Sequence, residues 1–246
     1  GRFFWDERAE TLEDQVLMPI QNKVEMGHTL PKLIDHLASQ PEYPPLFRAA
    51  FGDTRVSSNR ASMALAQFVR SLVSYQSKYD EGVAKARVRS DDFPNFTREE
   101  NRGKAVFFRA CAICHMPGQQ DAVFISPQAQ NNGLDANAAT SDLGRADVTL
   151  RPVDVGRFKS PSLRNIEYTG PYMHDGRFAK LEDVVEHYST GLKRHPNLDG
   201  RLIGPAANGG GFRFSPGEKA ALVAFLNTLS DPKFITDPKF SDPFKN

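Results

Sequence analysis

Cys111-Ala112-Ile113-Cys114-His115 constrains this chain more than any other stretch, because it contains both of the chain's 2 cysteines. No cysteine is left to build a disulfide framework. Cys-x-x-Cys-His is the attachment signature of c-type haem: two thiolates add across the haem vinyls, and the adjacent histidine becomes the proximal iron ligand. Two other chemistries use similar residues. A thioredoxin-like dithiol needs a βαβ setting, and none is legible here. A structural zinc needs four ligands, and His28, His36, His174, His187 and His195 supply no second paired motif. Covalent haem leads, with Cys111 and Cys114 as attachment points and His115 on the iron.

Charge removes several function classes. Lys plus Arg is 31 against 30 for Asp plus Glu, which leaves no excess for a nucleic-acid stripe or a polybasic membrane anchor. The longest apolar run, Ala220 to Leu226, is far short of the roughly 20 residues that span a bilayer. No charged-then-apolar leader opens these residues. With 246 residues, 39 % of them hydrophobic, and 18 Phe, the chain can bury a core in one large domain or two small ones.

Periodicity predicts the elements. Thr29 to Ser39 reads as a helix, with Thr29 as N-cap and Pro31 in its first turn. Ser58 to about Tyr79 is expected to be the longest helix, with Leu65, Phe68, Val69, Leu72 and Tyr75 as its apolar stripe. Asp91 to Asn95 marks the candidate boundary, which divides the chain into 1–92 and 93–246. Thr97 and Glu100 form a capping box that opens a helix to about Ala110 and delivers the cysteine motif at its end. From Pro117 to about Pro161 the chain lacks periodicity; a bound cofactor is one organiser of so long an irregular stretch.

Lys180 to Thr190 is helical again, with Leu181, Val184, Val185 and Tyr188 on one face. Ser215, Pro216 and Glu218 open a last helix, with Leu222, Phe225, Leu226 and Leu229 as its stripe. The tail repeats Asp-Pro-Lys-Phe at Asp231 to Phe234 and at Asp237 to Phe240, then reaches Phe244. Its prolines predict an irregular strap that pins Phe rings. No β-alternation is visible, so the fold class is mostly α: cytochrome c-like haem domains with long irregular loops.

A second axial ligand is expected on the helix that begins at Lys180. At about 100° per residue, Tyr188 shares the apolar face while His187 points well off it. A ligand to a buried iron comes from the inward face, which favours Tyr188. Periodicity alone leaves a core tyrosine equally open.

The motifs together resemble the bacterial dihaem cytochrome c peroxidase and MauG family over essentially the whole chain. The resemblance is carried by Phe4-Trp5-Asp6-Glu7-Arg8-Ala9, by Pro19-Ile20-Gln21-Asn22-Lys23-Val24-Glu25-Met26-Gly27 and by the haem motif. It continues through Pro161-Ser162-Leu163-Arg164-Asn165, through Pro171-Tyr172-Met173-His174-Asp175-Gly176-Arg177-Phe178, and into Leu181-Glu182-Asp183-Val184-Val185. It implies that Cys111, Cys114 and His115 hold the C-terminal haem c and that Trp5 relays electrons between two haems. Glu25 would move the proton in the peroxide pocket, as general acid–base chemistry requires. The carbonyls of Thr169 and Pro171 would help bind calcium.

Peroxidases of this family often carry Met at the Tyr188 position, and MauG-like members carry Tyr. A thioether favours ferrous iron, whereas a phenolate favours ferric or higher-valent iron.

The chain departs from the family in two places. Only one haem motif is present, so residues 1–92 resemble the second half of an N-terminal haem domain. A second haem is then expected on a missing N-terminal segment or on a partner chain; His28, beside Glu25, is the weaker alternative for an iron ligand. Glu7 stands where the family has Gly. The resemblance implies a periplasmic enzyme that reduces hydrogen peroxide with electrons from a small cytochrome c or copper protein. One alternative is MauG-like oxidation of a protein partner, and another is a non-catalytic electron-transfer haem subunit. The family also suggests a homodimer, and nothing suggests nucleic-acid binding or a membrane span.

Overall fold

Capping boxes set the helix starts that matter most for the site. The computed structural model describes residues 2–117, 124–126, 128–137, 142–203 and 210–243. Its chain divides into two compact units, Gly1–Val73 and Ser74–Asn246. That division falls earlier than the 92/93 boundary, because residues 74–92 contribute Tyr79 and Val83 to the core of the second unit. No helix is long and apolar enough to cross a membrane among the described residues.

The first unit holds α1 (Leu12–Gln15), α2 (Met18–Gln21), α3 (Leu30–Ser39), α4 (Tyr43–Phe51) and α5 (Ser58–Ser71). Helix α5 ends well before Tyr79, and its expected stripe does not point inward. Ala61, Ser62 and Ala66 are the buried side of α5, while Leu65, Phe68, Val69 and Leu72 are exposed, Phe68 by 51 %. Small side chains let α5 close on α1 and α3, and its bulky face is left outward. Arg70 clasps the Glu13 carboxylate at 2.7 and 2.9 Å, which ties α5 to α1. Glu7 adopts φ 63°, the left-handed region where Gly carries no Cβ penalty. The glycine of the family motif therefore has a backbone reason, and Glu7 accepts the strain.

The second unit holds α6 (Lys78–Lys85), α7 (Arg98–Ala110), α8 (Ala146–Thr149), α9 (Leu181–Glu186), α10 (Pro216–Asn227) and α11 (Pro232–Ile235). Two short strands, β1 (Ala129–Gln130) and β2 (Phe158–Lys159), pair antiparallel with Ala129 opposite Lys159. Thr97 and Glu100 cap α7 reciprocally, as Ser215 and Glu218 cap α10. The crossing of α7 and α10 is the centre of the unit. Around it Tyr79, Phe93, Phe107, Phe124 and Phe225 bury almost completely and meet edge-on or tilted, with ring centroids 4.9 to 6.0 Å apart, as aromatic quadrupoles prefer.

The tail corrects the expectation of an irregular strap. Pro232 lies in the first turn of α11, and Pro238 in that of a 3₁₀ turn, Pro238–Phe240. The Asp231 carboxylate caps Phe234 N–H, and the Asp237 carboxylate caps Lys239 N–H. Asp-Pro is a helix-start signal: the acid caps, and the ring presets φ where no N–H is needed. Phe234 and Phe240 pack on each other at 5.5 Å; Phe244 lies outside the described residues.

Candidate haem site

Helix α7 does not stop cleanly but winds on into the cysteine motif. The N–H groups of Cys111 and Ala112 donate to the Phe107 carbonyl at 2.7 and 3.0 Å, and those of Cys114 and His115 donate to the Cys111 carbonyl at 3.1 and 2.9 Å. Arg201 pins the outside of this turn. Its guanidinium donates to the Ile113 carbonyl at 3.1 Å and is itself held by Asp199 at 2.8 and 2.7 Å.

Burial pushes the Cys111 thiol up to about 12, with Cys114 adding to the effect. Burial also raises the Cys114 thiol, against the pull of Arg201. A redox dithiol wants the opposite, a lowered thiol pKa, so the microenvironment disfavours the thioredoxin-like reading.

His115 is oriented by its backbone surroundings. Its Nδ1 lies 2.9 Å from the Phe124 carbonyl, and burial holds the ring below its usual pKa, opposed by the Phe124 and Pro161 carbonyls. Burial thus favours the neutral imidazole, whose Nδ1–H faces a carbonyl that can only accept. A metal-binding histidine is commonly fixed in this way.

Tyr188 reaches the same region from α9, but not by the expected ideal helix. After Glu186 the chain makes one turn of π-helix, His187–Gly191. The carbonyls of Tyr188 and Ser189 turn out of the helix and accept Phe212 N–H at 3.0 Å and Arg213 N–H at 2.9 Å. The close approach requires Gly211, at φ +121°, where an added Cβ would stand 2.4 Å from the Ser189 carbonyl oxygen.

A π-turn holds more residues than an α-turn, so successive side chains diverge less. His187 is consequently buried, only 5 % exposed, rather than turned away. Its Nε2 is 3.0 Å from the Asn132 backbone carbonyl, which occupies it structurally. Burial pushes the Tyr188 hydroxyl up to about 12; the Asn132 hydrogen bond opposes this, and both thiols add to it.

Cys111, Cys114, His115 and Tyr188 all keep partial exposure. Two thiols at Cys-x-x-Cys spacing beside an imidazole, with a buried phenol near both thiols, are donors that would suit a covalent haem. The residues present fit that group.

A family model described as di-haem cytochrome c peroxidase matches residues 1–87. The crystal structure of a MauG-like protein associated with microbial copper homeostasis superposes with TM-score 0.80 at 30 % identity, covering 100 % of this chain and 76 % of that one. The chain belongs to the dihaem cytochrome c peroxidase and MauG family. The methylamine utilization protein MauG of Methylorubrum extorquens is 36 % identical over 243 residues, which cover 96 % of this chain and 63 % of that protein. Cytochrome c551 peroxidase of Nitrosomonas europaea is 33 % identical over 230 residues, which cover 92 % of this chain and 61 % of that one. The chain thus spans less than two thirds of the length of these curated relatives.

The remaining family positions divide between the two units. In the first unit, Trp5 is 37 % exposed. Glu25 lies in an exposed turn whose Gly27 N–H donates to the Asn22 carbonyl at 2.8 Å. In the second unit, Thr169 and Pro171 lie on an exposed loop; the Thr169 N–H and hydroxyl both point at the Ile166 carbonyl. Sequence reasoning missed Asn132, Arg201 and the Phe124 carbonyl. The Asn131-Asn132-Gly133 turn signal could have pointed to the first of these, and no local signal points to the other two.

Proposed function

We propose that this chain is the C-terminal haem unit, plus part of the N-terminal one, of a periplasmic enzyme that reduces hydrogen peroxide with electrons from a small cytochrome c or copper protein. The observation that carries this reading is the Cys111–His115 motif wound onto the end of α7, with the His115 ring held by the Phe124 carbonyl. When bound, haem supplies the redox chemistry. Cys111 and Cys114 would attach it, His115 would bind its iron, and Tyr188 would offer a phenol oxygen.

The partial N-terminal haem domain is supported by the first unit. The bulky face of α5 is exposed there, as are Val24, by 94 %, and Met26 on either side of Glu25. These are surfaces that a further haem segment, on the same protein or on a partner chain, would cover. Under this reading Trp5 passes electrons, and Glu25 takes a proton from bound peroxide and returns it to the leaving oxygen. Calcium at the Thr169 and Pro171 carbonyls and a homodimer belong to the same reading.

Peroxide added to the full-length haem-loaded protein is expected to oxidise a reduced small cytochrome c. Glu25→Gln is expected to lower that rate by about 10²-fold with haem content unchanged. Wild-type protein with full haem content that turns over no peroxide would overturn the peroxidase reading. The second reading, peroxide-driven oxidation of a protein partner, is favoured by Tyr188, because a phenolate stabilises oxidised iron. Retention of a peroxide-oxidised haem spectrum without cytochrome turnover would select it.

A further inference from the structure

The amide nitrogen of Asn132 stands 3.5 Å from the Tyr188 hydroxyl oxygen and 3.4 Å from the Met173 sulfur. An amide NH₂ has two N–H donors, one for each acceptor. The two atoms it contacts are a phenol oxygen and a thioether sulfur, both of types that ligate haem iron.

Met173 is held there against local preference. Its φ is +72°, which a side chain with a Cβ adopts only at a cost. The loop that fixes it is clamped twice. Tyr172 and Phe178 bridge backbone to backbone, with Tyr172 N–H 2.7 Å from the Phe178 carbonyl. Arg177 grips Asp135 at 3.0 and 2.8 Å and Asp175 at 2.8 Å, joining this loop to the one that follows Asn132. Asn132 is fixed in turn by His187 on its backbone carbonyl and by the neighbouring Gly133 carbonyl, which accepts Lys193 N–H at 2.8 Å. Met173 is half-buried, and an unbranched thioether has the rotatable bonds to reach a nearby metal.

Taking haem attachment at Cys111 and Cys114 as argued above, we propose that Met173 is the alternative axial ligand of the same iron: it occupies Tyr188's coordination position when the phenol oxygen is absent. Asn132 positions both candidates. The consequence is a built-in choice of reduction potential, since a thioether favours ferrous iron and a phenolate ferric iron.

The test compares full-length haem-loaded wild type, Tyr188→Phe, and the double variant Tyr188→Phe with Met173→Leu. Readouts are the far-red thioether-to-ferric-iron charge-transfer band, the ferric spin state by EPR, and the reduction potential. Tyr188→Phe is expected to gain the far-red band, to stay low-spin at this haem and to rise in potential. The double variant is expected to lose the band and turn high-spin. A single variant indistinguishable from the double would overturn the proposal while leaving the haem reading intact. Wild type without covalent haem at the Cys111–Cys114 motif would overturn both. Should Tyr188→Phe take up no haem, Tyr188→Ala makes the same comparison without the ring.

Discussion

Gly103→Ala is expected to destabilise the second unit by about 3 kcal/mol, the upper end for overpacking, and Gly103→Val to prevent its folding. Gly103 sits where α7 crosses α10: a Cβ built there would lie 1.8 Å from the Ala221 carbonyl oxygen and 2.8 Å from the Phe225 Cβ. The obstacle is backbone, which cannot swing aside as a side chain tip can. The helices must part, and the contacts of Phe107, Leu222 and Phe225 in the core would loosen with them. Helix propensity works the other way, because Ala gains about 1 kcal/mol over Gly in a helix interior. The clash outweighs it. Urea titration of haem-loaded protein, followed by far-ultraviolet circular dichroism and haem absorbance together, reads the result. A midpoint for Gly103→Ala at or above wild type would show that the helices separate at no cost.

Asp231→Ala is expected to cost about 3 kcal/mol, because it strands several part-buried donors at once. The Asp231 side chain is 1 % exposed. Its carboxylate accepts the N–H groups of Tyr75 at 3.0 Å, Gln76 at 2.9 Å and Phe234 at 3.1 Å, and the Ser74 hydroxyl at 3.3 Å. Asp231→Asn keeps an acceptor oxygen and is expected to cost less, about 1 to 2 kcal/mol.

The same carboxylate gives a pH signature. Desolvation alone would raise its pKa, but the hydrogen bonds from Gln76, Phe234, Tyr75 and Ser74 outweigh that and hold it below 3.8. A depressed folded-state pKa contributes stability that is present above the unfolded value, near pH 4, and lost as pH falls through the folded value. Wild-type stability should therefore fall more steeply below pH 4 than that of Asp231→Asn. Parallel acid-denaturation curves for the two would refute the assignment.

Local chemistry by itself determined much of this protein. The haem motif is contiguous, so its meaning needs no third dimension. Thr97 with Glu100 and Ser215 with Glu218 are reciprocal caps three residues apart, and both open helices where expected. The inward stripe of Leu222, Phe225 and Leu226 on α10 follows from spacing alone.

What failed was decided by groups far apart in sequence. Helical periodicity ran past Ser71 because nothing local shows that Asp231 claims the N–H groups of Tyr75 and Gln76. The stripe on α5 is amphipathic whichever side is buried, and here the small residues take the inside. His187 turned inward because carbonyls of the Tyr188 turn are taken by Phe212 and Arg213, which widens the helix by a residue that no window on Lys180 to Thr190 contains. Asn132 and Met173 join Tyr188 only through loops clamped by Arg177 and His187. Short-range spacing determined which residues could hold the cofactor, whereas long-range hydrogen bonds decided which of them face one another, because such bonds pair partners that no local pattern links.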